Sequence, residues 1–572
     1  MSSMPAPRVY RSRYPDYAIP RQSVYSKLFP KQPLYDESSP AYIEATTGRT
    51  LTRGDVRDMS LKVACGIRNL LKTKKGDFSS EFYSPNSLTW PLVLFGCVAA
   101  GLRCTLANTS YTPPELAHQL KDSGAGYVFV HPALVPTLLQ AFEILKVPAN
   151  EAKKRAILMS FGEEPPRGMA VFMQFDSLLK IGKLEEEERF DGDMSDETVY
   201  LCYSSGTTGL SKGVETTHHN INTVLTCCRA LFPGMYPGRD VMLGILPFYH
   251  IYGAVGVVQY PFTLGVPVVI SPPFNPEEFC FFIQKYRITC ALIVPPILVV
   301  LASHPAVDKY NLSTLRFFFS GAAPLGADLV TRVRARLRKQ SVNVSIIQGY
   351  GLTETSPTCL ILNIDWAEEK VGSAGELLPN MEARLVGSDG RDVKDGEPGE
   401  FWLRAPSVMK GYLNNPLATR NSITTDGWFK TGDIAIRDKD GFFTIVDRLK
   451  ELIKYKGFQV PPADLENVLL THPDVIDAGV VGIYSEEQAT ELPRAYVVNR
   501  AGFASLSKSQ REAFAKDVQT WIQGKVAKHK FLRGGVVVVE AIPKSAAGKI
   551  LRRELRELAK KELVEAGSKA KL

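Results

Sequence analysis

Glu197-Thr198-Val199-Tyr200-Leu201-Cys202 runs without a break into Tyr203-Ser204-Ser205-Gly206-Thr207-Thr208-Gly209-Leu210-Ser211-Lys212-Gly213-Val214. The first six residues alternate and cluster apolar side chains as a buried strand does. The next twelve hold three glycines, several hydroxyls and a lysine. Glycines let a backbone turn tightly and bring its N–H groups close to a ligand. Hydroxyls add donors, and the lysine adds a movable positive charge. A strand that ends in such a loop is the arrangement α/β proteins use to hold a polyphosphate. The spacing is not that of a Walker A loop, because Ser211 rather than glycine precedes Lys212, and Gly213 follows it.

Outward from this loop the chain keeps one rhythm. Leu51 to Lys72 has helical spacing, with Thr52 placed as N-cap and Asp55 three residues on. Phe82 to Ser87 reads as a strand ending in a turn, Trp90 to Ala100 as an apolar helix, and Pro113-Pro114-Glu115 as a helix start. Strands follow at Gly126–Val130, Ala156–Ser160, Val266–Ile270, Thr289–Val294 and Leu315–Phe319. Strands alternating with helices predict parallel α/β layers. From about Gly372 the texture changes to short strands between Asp-Gly, Pro-Gly and Gly-Tyr turns, at Ala383–Val386, Gly399–Leu403 and Gly441–Val446, which predicts antiparallel structure. After Asp447-Arg448-Leu449-Lys450 comes an α+β tail: a strand at Ala478–Gly482, a helix from Lys508 to Val526, a strand at Gly535–Val539 and a charged helix from Lys549 to Glu565. The domain boundary falls between Leu449 and Lys450, giving units 1–449 and 450–572. The charged stretch Lys183 to Arg189 reads as a solvated connection.

The 572 residues are enough for roughly three to four domain-sized units. With 45% hydrophobic and 22% charged residues the chain is globular. A net charge of +8, with no basic run interleaved with aromatics, fits anionic small molecules and argues against nucleic acid. Nine cysteines without a C-x-x-C pair predict buried, reduced thiols. The N-terminus has no apolar core of a secretory signal. Val241 to Ile270 is interrupted by Pro247, His250, Pro261 and Pro267, so it is not expected to span a bilayer, which takes about 20 apolar residues. The last residues, Ala570-Lys571-Leu572, differ from the peroxisomal address S-K-L only by alanine for serine, which predicts recognition by the peroxisomal import receptor and otherwise a cytoplasmic location.

Taken in order, the opening loop, Gln348-Gly349-Tyr350-Gly351-Leu352-Thr353-Glu354, Gly399 to Arg404, Tyr412 with Thr431-Gly432-Asp433, Asp447 to Gln459, and Pro543 to Ile550 make one pattern. The sequence resembles the adenylate-forming enzymes over roughly Tyr35 to Leu555, and within them the 4-coumarate–CoA ligase-like branch, of the peroxisomal type found in fungi and plants. The resemblance implies an α/β fold. Two parallel subdomains and a small antiparallel β-barrel-like subdomain form a large N-terminal domain, followed by a mobile α+β C-terminal domain. It implies a two-step reaction: a carboxylate attacks the α-phosphate of Mg·ATP to give acyl-adenylate and pyrophosphate, then the thiol of coenzyme A displaces AMP.

Residue by residue, the resemblance implies that Ser204, Ser205, Gly206, Thr207, Thr208, Gly209 and Lys212 hold the β- and γ-phosphates. Thr353 meets the α-phosphate and Glu354 holds Mg²⁺. Gln348, Gly349 and Tyr350 frame the adenine, and Asp433 and Arg448 contact the ribose. Lys549 is the adenylation catalyst, with His250 bordering the acyl carboxylate. Lys450 is the hinge about which the small domain turns. Lys454 and Gln459 complete the nucleotide contacts on its second face, where Lys456 and Gly457 meet CoA. The acyl pocket maps onto His250, Tyr252, Gly256, Phe319, Gly321, Ala322, Gly351, Pro357 and Thr358. Plant coumarate ligases usually carry lysine at Phe319 and glycine at Ala322, so an apolar acid of medium-chain fatty, phenylacetic or cinnamic type is expected. Ser211, often proline, should leave the phosphate loop more mobile, and Ala405 is often glycine. Alternatives are a luciferase-like oxygenase, a free-standing enzyme that loads a carrier protein, and a degenerate nucleotide-binding protein; the last expects loss of key residues, yet Lys212, Glu354, Asp433, Arg448 and Lys549 are all present.

Overall fold

The computed structural model describes residues 7–204, 211–456, 458–485, 488, 490–545 and 548–569. Strand Thr198–Ser204 lies inside an eight-stranded sheet. On one side it pairs in parallel with Arg103–Leu106, and beyond that run Phe78–Tyr83, Tyr127–Val130, Ala156–Leu158 and Met173–Gln174. On the other it turns back antiparallel into Lys212–Thr217, placing Ser204 opposite Lys212. The strands flanking the glycine-rich stretch therefore pair antiparallel, at a carboxyl end where α/β sheets present their ligands.

The second sheet has nine strands. Its centre, Met242–Gly244, Cys290–Ile293, Phe317–Ser320 and Ser345–Gly351, is parallel and almost wholly buried, as continuous apolar runs in parallel sheets require. Helix Thr89–Ala99 is apolar on every side, and all of its residues are buried. It crosses helix Arg53–Leu70 where a Cβ on Gly96 would come within 2.4 Å of Val63, so glycine sets the helix spacing. The predicted cap of the latter helix is a full capping box, with Asp55 N–H donating to Thr52 Oγ1 at 3.1 Å and Thr52 N–H to Asp55 Oδ2 at 2.9 Å. The turn-rich stretch builds a five-stranded antiparallel sheet from Tyr10–Arg11, Glu382–Val386, Gly399–Arg404, Phe429–Arg437 and Phe443–Arg448.

The tail has cores of its own, one centred on Ile453, Val460, Leu465, Val480 and Ile522 and one on Val481, Tyr496 and Leu555. Its main element is the long hairpin Val475–Ser485 and Thr490–Asn499, with Val536–Val538 added in parallel. Two readings change. The charged helix starts at Arg552, not at Lys549. Before it, Gly548 takes φ +76°, the Ser545 N–H donates to the Lys549 carbonyl at 2.8 Å, and Lys544 pairs with Ile550 in a bridge. Nor is Lys183 to Arg189 merely solvated. Lys183 pairs with Asp58 at 2.7 Å, Glu186 with Lys31 at 3.0 Å, and Glu188 with Arg68, stitching the segment to the body.

All nine cysteines are free and buried. Among the described residues no helix is long and apolar enough to cross a membrane.

Candidate active site

Four chain segments meet around the end of strand Thr198–Ser204. Lys212 holds its ammonium 4.0 Å above the ring of Tyr412, whose strand Gly411–Tyr412 pairs with Val214 and Glu215. Tyr412 in turn donates its hydroxyl to Glu354 Oε1 at 2.9 Å. A cation, an aromatic face and a buried carboxylate thus form one chain. Beneath the loop, Tyr203 donates its hydroxyl to Asp122 Oδ2 at 2.7 Å, and His118 Nε2 lies 2.9 Å from the Ser211 carbonyl. Helix Pro113–Ser123 therefore grips both ends of the loop. Ser205, Gly206, Thr207, Thr208 and Gly209 lie outside the described residues.

Strand Ser345–Gly351 brings in the second group. Gln348 is buried, its Oε1 accepting from the Leu325 N–H at 3.3 Å. A Cβ on Gly349 would come within 2.3 Å of Phe319, so only glycine lets this strand lie against that ring. Tyr350 donates its hydroxyl to Asp433 Oδ2 at 2.5 Å. Asp433 stands opposite Arg448 in the antiparallel ladder, and Arg448 Nε approaches its Oδ1 at 3.4 Å. Burial raises the Asp433 carboxyl above its ordinary value, and Arg448 with the Tyr350 hydroxyl works against the rise. Thr353 and Glu354 share the short turn Thr353–Thr355 that follows.

Lys549 reaches this cluster from the tail. Its turn is set against the large unit, for a Cβ on Gly548 would lie 3.1 Å from Val294 and 3.4 Å from Pro296. Burial lowers the Lys549 ammonium to about 8, with Arg448 lowering it further while Asp433, Glu354 and Glu451 pull it up. The lysine therefore stands in the field of both carboxylates the sequence singled out. His250 is pushed down to about 3 by burial and then by the Lys549 charge, so its ring is neutral at physiological pH. Its Nδ1 accepts the Tyr252 N–H at 3.2 Å, which leaves the proton on Nε2.

Beside this cluster lies a cavity of about 370 Å³. Of the predicted wall, Tyr252, Gly256, Phe319, Pro357 and Thr358 line it; His250, Gly321, Ala322 and Gly351 do not. Those glycines act behind the wall. A Cβ on Gly321 would touch the Tyr252 ring at 3.2 Å, and one on Gly351 would overlap the Pro357 carbonyl. Gly256 sits in the π-helical turn Ala254–Gln259, a rare geometry that occurs mostly at functional sites. The deeper wall, from Val224, Leu225, Cys228, Phe232, Tyr260 and Ile361, was not read from the sequence. These residues lie far apart in the chain, and their local signal is only that of buried helix and strand.

Other predicted residues stand apart. Lys454, Lys456 and Gln459 are exposed on the hairpin Ile453–Tyr455 and Phe458–Val460, and no contact joins their side chains to the Asp433 cluster; Gly457 is outside the described residues. The backbone N–H groups of Lys454 and Lys456 are spoken for, by Glu491 Oε2 and Thr490 Oγ1, both at 2.7 Å. Lys450 is exposed in the turn after strand Phe443–Arg448.

Residues 30–413 match the family described as AMP-binding enzyme, and residues 464–549 its C-terminal domain. A probable 4-coumarate–CoA ligase 1 of Dictyostelium discoideum is 37% identical over 564 residues, covering 96% of this chain and 97% of the relative. A 4-coumarate–CoA ligase 1 of Petroselinum crispum is 37% identical over 555 residues, covering 96% of each. Among solved structures, an anthranilate CoA ligase in complex with anthranoyl-AMP shares the fold with a TM-score of 0.82 at 23% identity, over 96% of this chain and 99% of that one. The chain belongs to the AMP-binding family of adenylate-forming enzymes. Its activity is that of an AMP-forming acid–thiol ligase, which uses ATP and makes acyl- or aryl-CoA.

Proposed function

We propose that the acid activated by this ligase is apolar: a cinnamic or phenylacetic acid without a ring hydroxyl, or a medium-chain fatty acid. The observation that carries this is the cavity wall. Apart from the Thr358 hydroxyl, the Cys228 thiol and the phenol groups of Tyr252 and Tyr260, its side chains are hydrocarbon or aromatic, and the Tyr252 hydroxyl is engaged with the Phe319 carbonyl at 3.2 Å. Phe319 packs on Phe232 with ring centroids 5.0 Å apart, so an aromatic ring and not a charged donor occupies that position of the wall. The curated relatives are named for 4-coumarate, a phenolic acid; a buried phenol without a partner loses free energy, which favours the unhydroxylated acids here.

The site residues divide by charge and reach. Ser204 to Gly209 and Lys212 take the β- and γ-phosphates, Thr353 the α-phosphate, Gln348 to Tyr350 the adenine, and Asp433 with Arg448 the ribose. An oxygen of the acid attacks the α-phosphorus, the bond to the bridging β-oxygen breaks, and the electron pair leaves on pyrophosphate. Lys549, as ammonium, bridges the two anions that must meet, so its charge counts most as the new bond forms. Neutral His250 offers its Nε2–H to the carboxylate without adding a charge. Glu354 would hold Mg²⁺, being a buried hard oxygen donor oriented by the Tyr412 hydroxyl at 2.9 Å. The metal's part is to neutralise charge on the departing phosphates. In the second half-reaction the tail turns about Lys450, withdrawing Lys549 and bringing the hairpin of Lys454, Lys456, Gly457 and Gln459 to the adenylate, where the CoA thiolate attacks the carbonyl carbon and AMP leaves. Residues 1–449 and 450–572 are the two bodies of that motion. The Ala570-Lys571-Leu572 ending directs the enzyme to peroxisomes.

Pyrophosphate release and CoA-thioester formation across a panel of acids test the substrate reading. Cinnamate, phenylacetate and octanoate should exceed 4-coumarate in kcat/KM. A clear preference for hydroxylated or dicarboxylic acids overturns it.

A further inference from the structure

A second cavity, of about 530 Å³, lies on the far side of helix Tyr260–Thr263 from the acyl cavity. Tyr260 lines the acyl cavity, whereas Phe262 and Thr263 line this one; likewise Cys228 faces the first and Arg229 the second. Its lining gathers Lys27, Arg53, Arg57 and Arg229 against a single carboxylate, Glu37. That carboxylate is already committed, accepting from Arg57 Nε and Nη2, each at 3.1 Å. Arg53 is only 7% exposed and has no ion pair. Its Nη2 donates to the Phe262 carbonyl at 2.8 Å, its guanidinium lies 4.0 Å over the Phe262 ring, and its Nη1 has no acceptor. Arg229 Nη2 meets the Thr263 carbonyl at 3.2 Å and likewise has no carboxylate partner among the described residues. Lys27 is half-buried, with Arg229 as its main charged neighbour.

Four cations in one concavity with one shared carboxylate repel one another, and burial of the Arg53 guanidinium sharpens the cost. An anion in the concavity would offset that repulsion. Two features narrow its class. Guanidinium groups prefer the multidentate oxygens of phosphate. Leu28, Phe29, Pro33, Leu34 and Tyr35 form an apolar rim that a bare ion would not need. None of these residues belongs to the adenylation cluster. We propose that this cavity is a binding site for a phosphate-type dianion, either the free ion or a phosphate monoester with a small apolar or aromatic body.

The test fills the adenylate site with a non-hydrolysable acyl-sulfamoyl adenosine, then titrates the loaded enzyme with inorganic phosphate and, separately, with phenyl phosphate, by calorimetry. Saturable one-to-one binding of either probe is expected. It should weaken at least tenfold in the Lys27→Gln/Arg229→Gln double variant and vanish in Lys27→Glu. Both Lys27 and Arg229 retain solvent contact, so the variants should fold, and their pyrophosphate release in phosphate-free buffer should match wild type. Tighter binding of phenyl phosphate assigns the site to an ester, and equal or tighter binding of phosphate to the free ion. Absence of saturable binding by both probes, or binding unchanged in the double variant, overturns the proposal.

Discussion

Lys549 offers the sharpest test of the adenylation site, because its position predicts a pH dependence as well as a loss. Its turn lies against Val294 and Pro296, and its charge is felt by His250 and Asp433. Burial and Arg448 lower it to about 8. The sign is direct: a lysine with a lowered value is the catalytically useful ammonium below about pH 8 and is lost above it. Because kcat/KM reports the free enzyme, the first half-reaction should lose about tenfold between pH 7 and pH 9 on this limb. Lys549→Gln keeps a polar side chain, one bond shorter, and removes the charge. Loss of one preorganised donor to developing charge costs about 2.7–4 kcal/mol, or roughly 10²–10³-fold. The assay is acid-dependent pyrophosphate release without CoA, set beside CoA-thioester formation from preformed acyl-adenylate. The variant should fall by that factor and lose the alkaline limb, while the thioester step keeps most of its rate. If the limb near pH 8 persists in Lys549→Gln, or both half-reactions fall equally, Lys549 does not act as proposed.

Other perturbations reach other parts of the scheme. Phe319→Lys places an ammonium in the apolar cavity and should shift the kcat/KM ratio of 4-coumarate to cinnamate upward by about tenfold or more; an unchanged ratio means Phe319 does not set ring polarity. Ala322 holds φ +69°, a left-handed conformation costing an L-residue roughly 1–2 kcal/mol, so Ala322→Gly should leave the thermal midpoint unchanged or higher in calorimetry despite glycine's greater chain entropy. Lys450→Pro should depress thioester formation far more than adenylation, and equal losses in stopped-flow half-reactions count against a hinge there. Thr52→Ala removes the capping hydroxyl of helix Arg53–Leu70 and should cost about 1 kcal/mol in denaturant unfolding, with no change in the KM for ATP.

What the sequence revealed and what it withheld have physical reasons. The Thr52–Asp55 box was legible because both of its hydrogen bonds span three residues. Helix Thr89–Ala99 was legible because an all-apolar stretch has to be buried. The strand Thr490–Asn499 was missed: Glu491, Pro493 and Arg494 break the apolar pattern, and Pro493 is tolerated because pairing with the third strand begins only at Ala495. The last helix was started too early because Lys549, Ile550 and Leu551 continue its periodicity upstream, and only the turn at Gly548 stops it. The nucleotide side of the site was legible through short motifs. The deep acyl wall was not, since Val224, Phe232, Tyr260 and Ile361 meet only through the packing of distant elements.

The same geometry explains how one chain can run two chemistries in turn. In this arrangement Lys549 stands within the field of Asp433 and Glu354, while Lys454, Lys456 and Gln459 face solvent, which on the proposed scheme is the adenylation arrangement. Among the described residues several contacts hold the tail there, and the Ala463 N–H donates to Asp447 Oδ2 at 3.0 Å. The Gly548 turn rests on Val294 and Pro296, Asn467 lies beside Gly326, and Arg332 reaches the Leu470 carbonyl at 3.4 Å. On the proposed scheme these contacts break when the tail turns. Charge decides which way it goes. On the proposed scheme ATP adds several negative charges beside Lys212, Arg448 and Lys549 and strengthens the hold on the Lys549 turn. Departure of pyrophosphate removes most of that charge, leaving a lysine whose burial already disfavours its ammonium. On the proposed scheme, product release therefore weakens the docking that made the product, and the tail is freed to turn when the adenylate is ready for CoA.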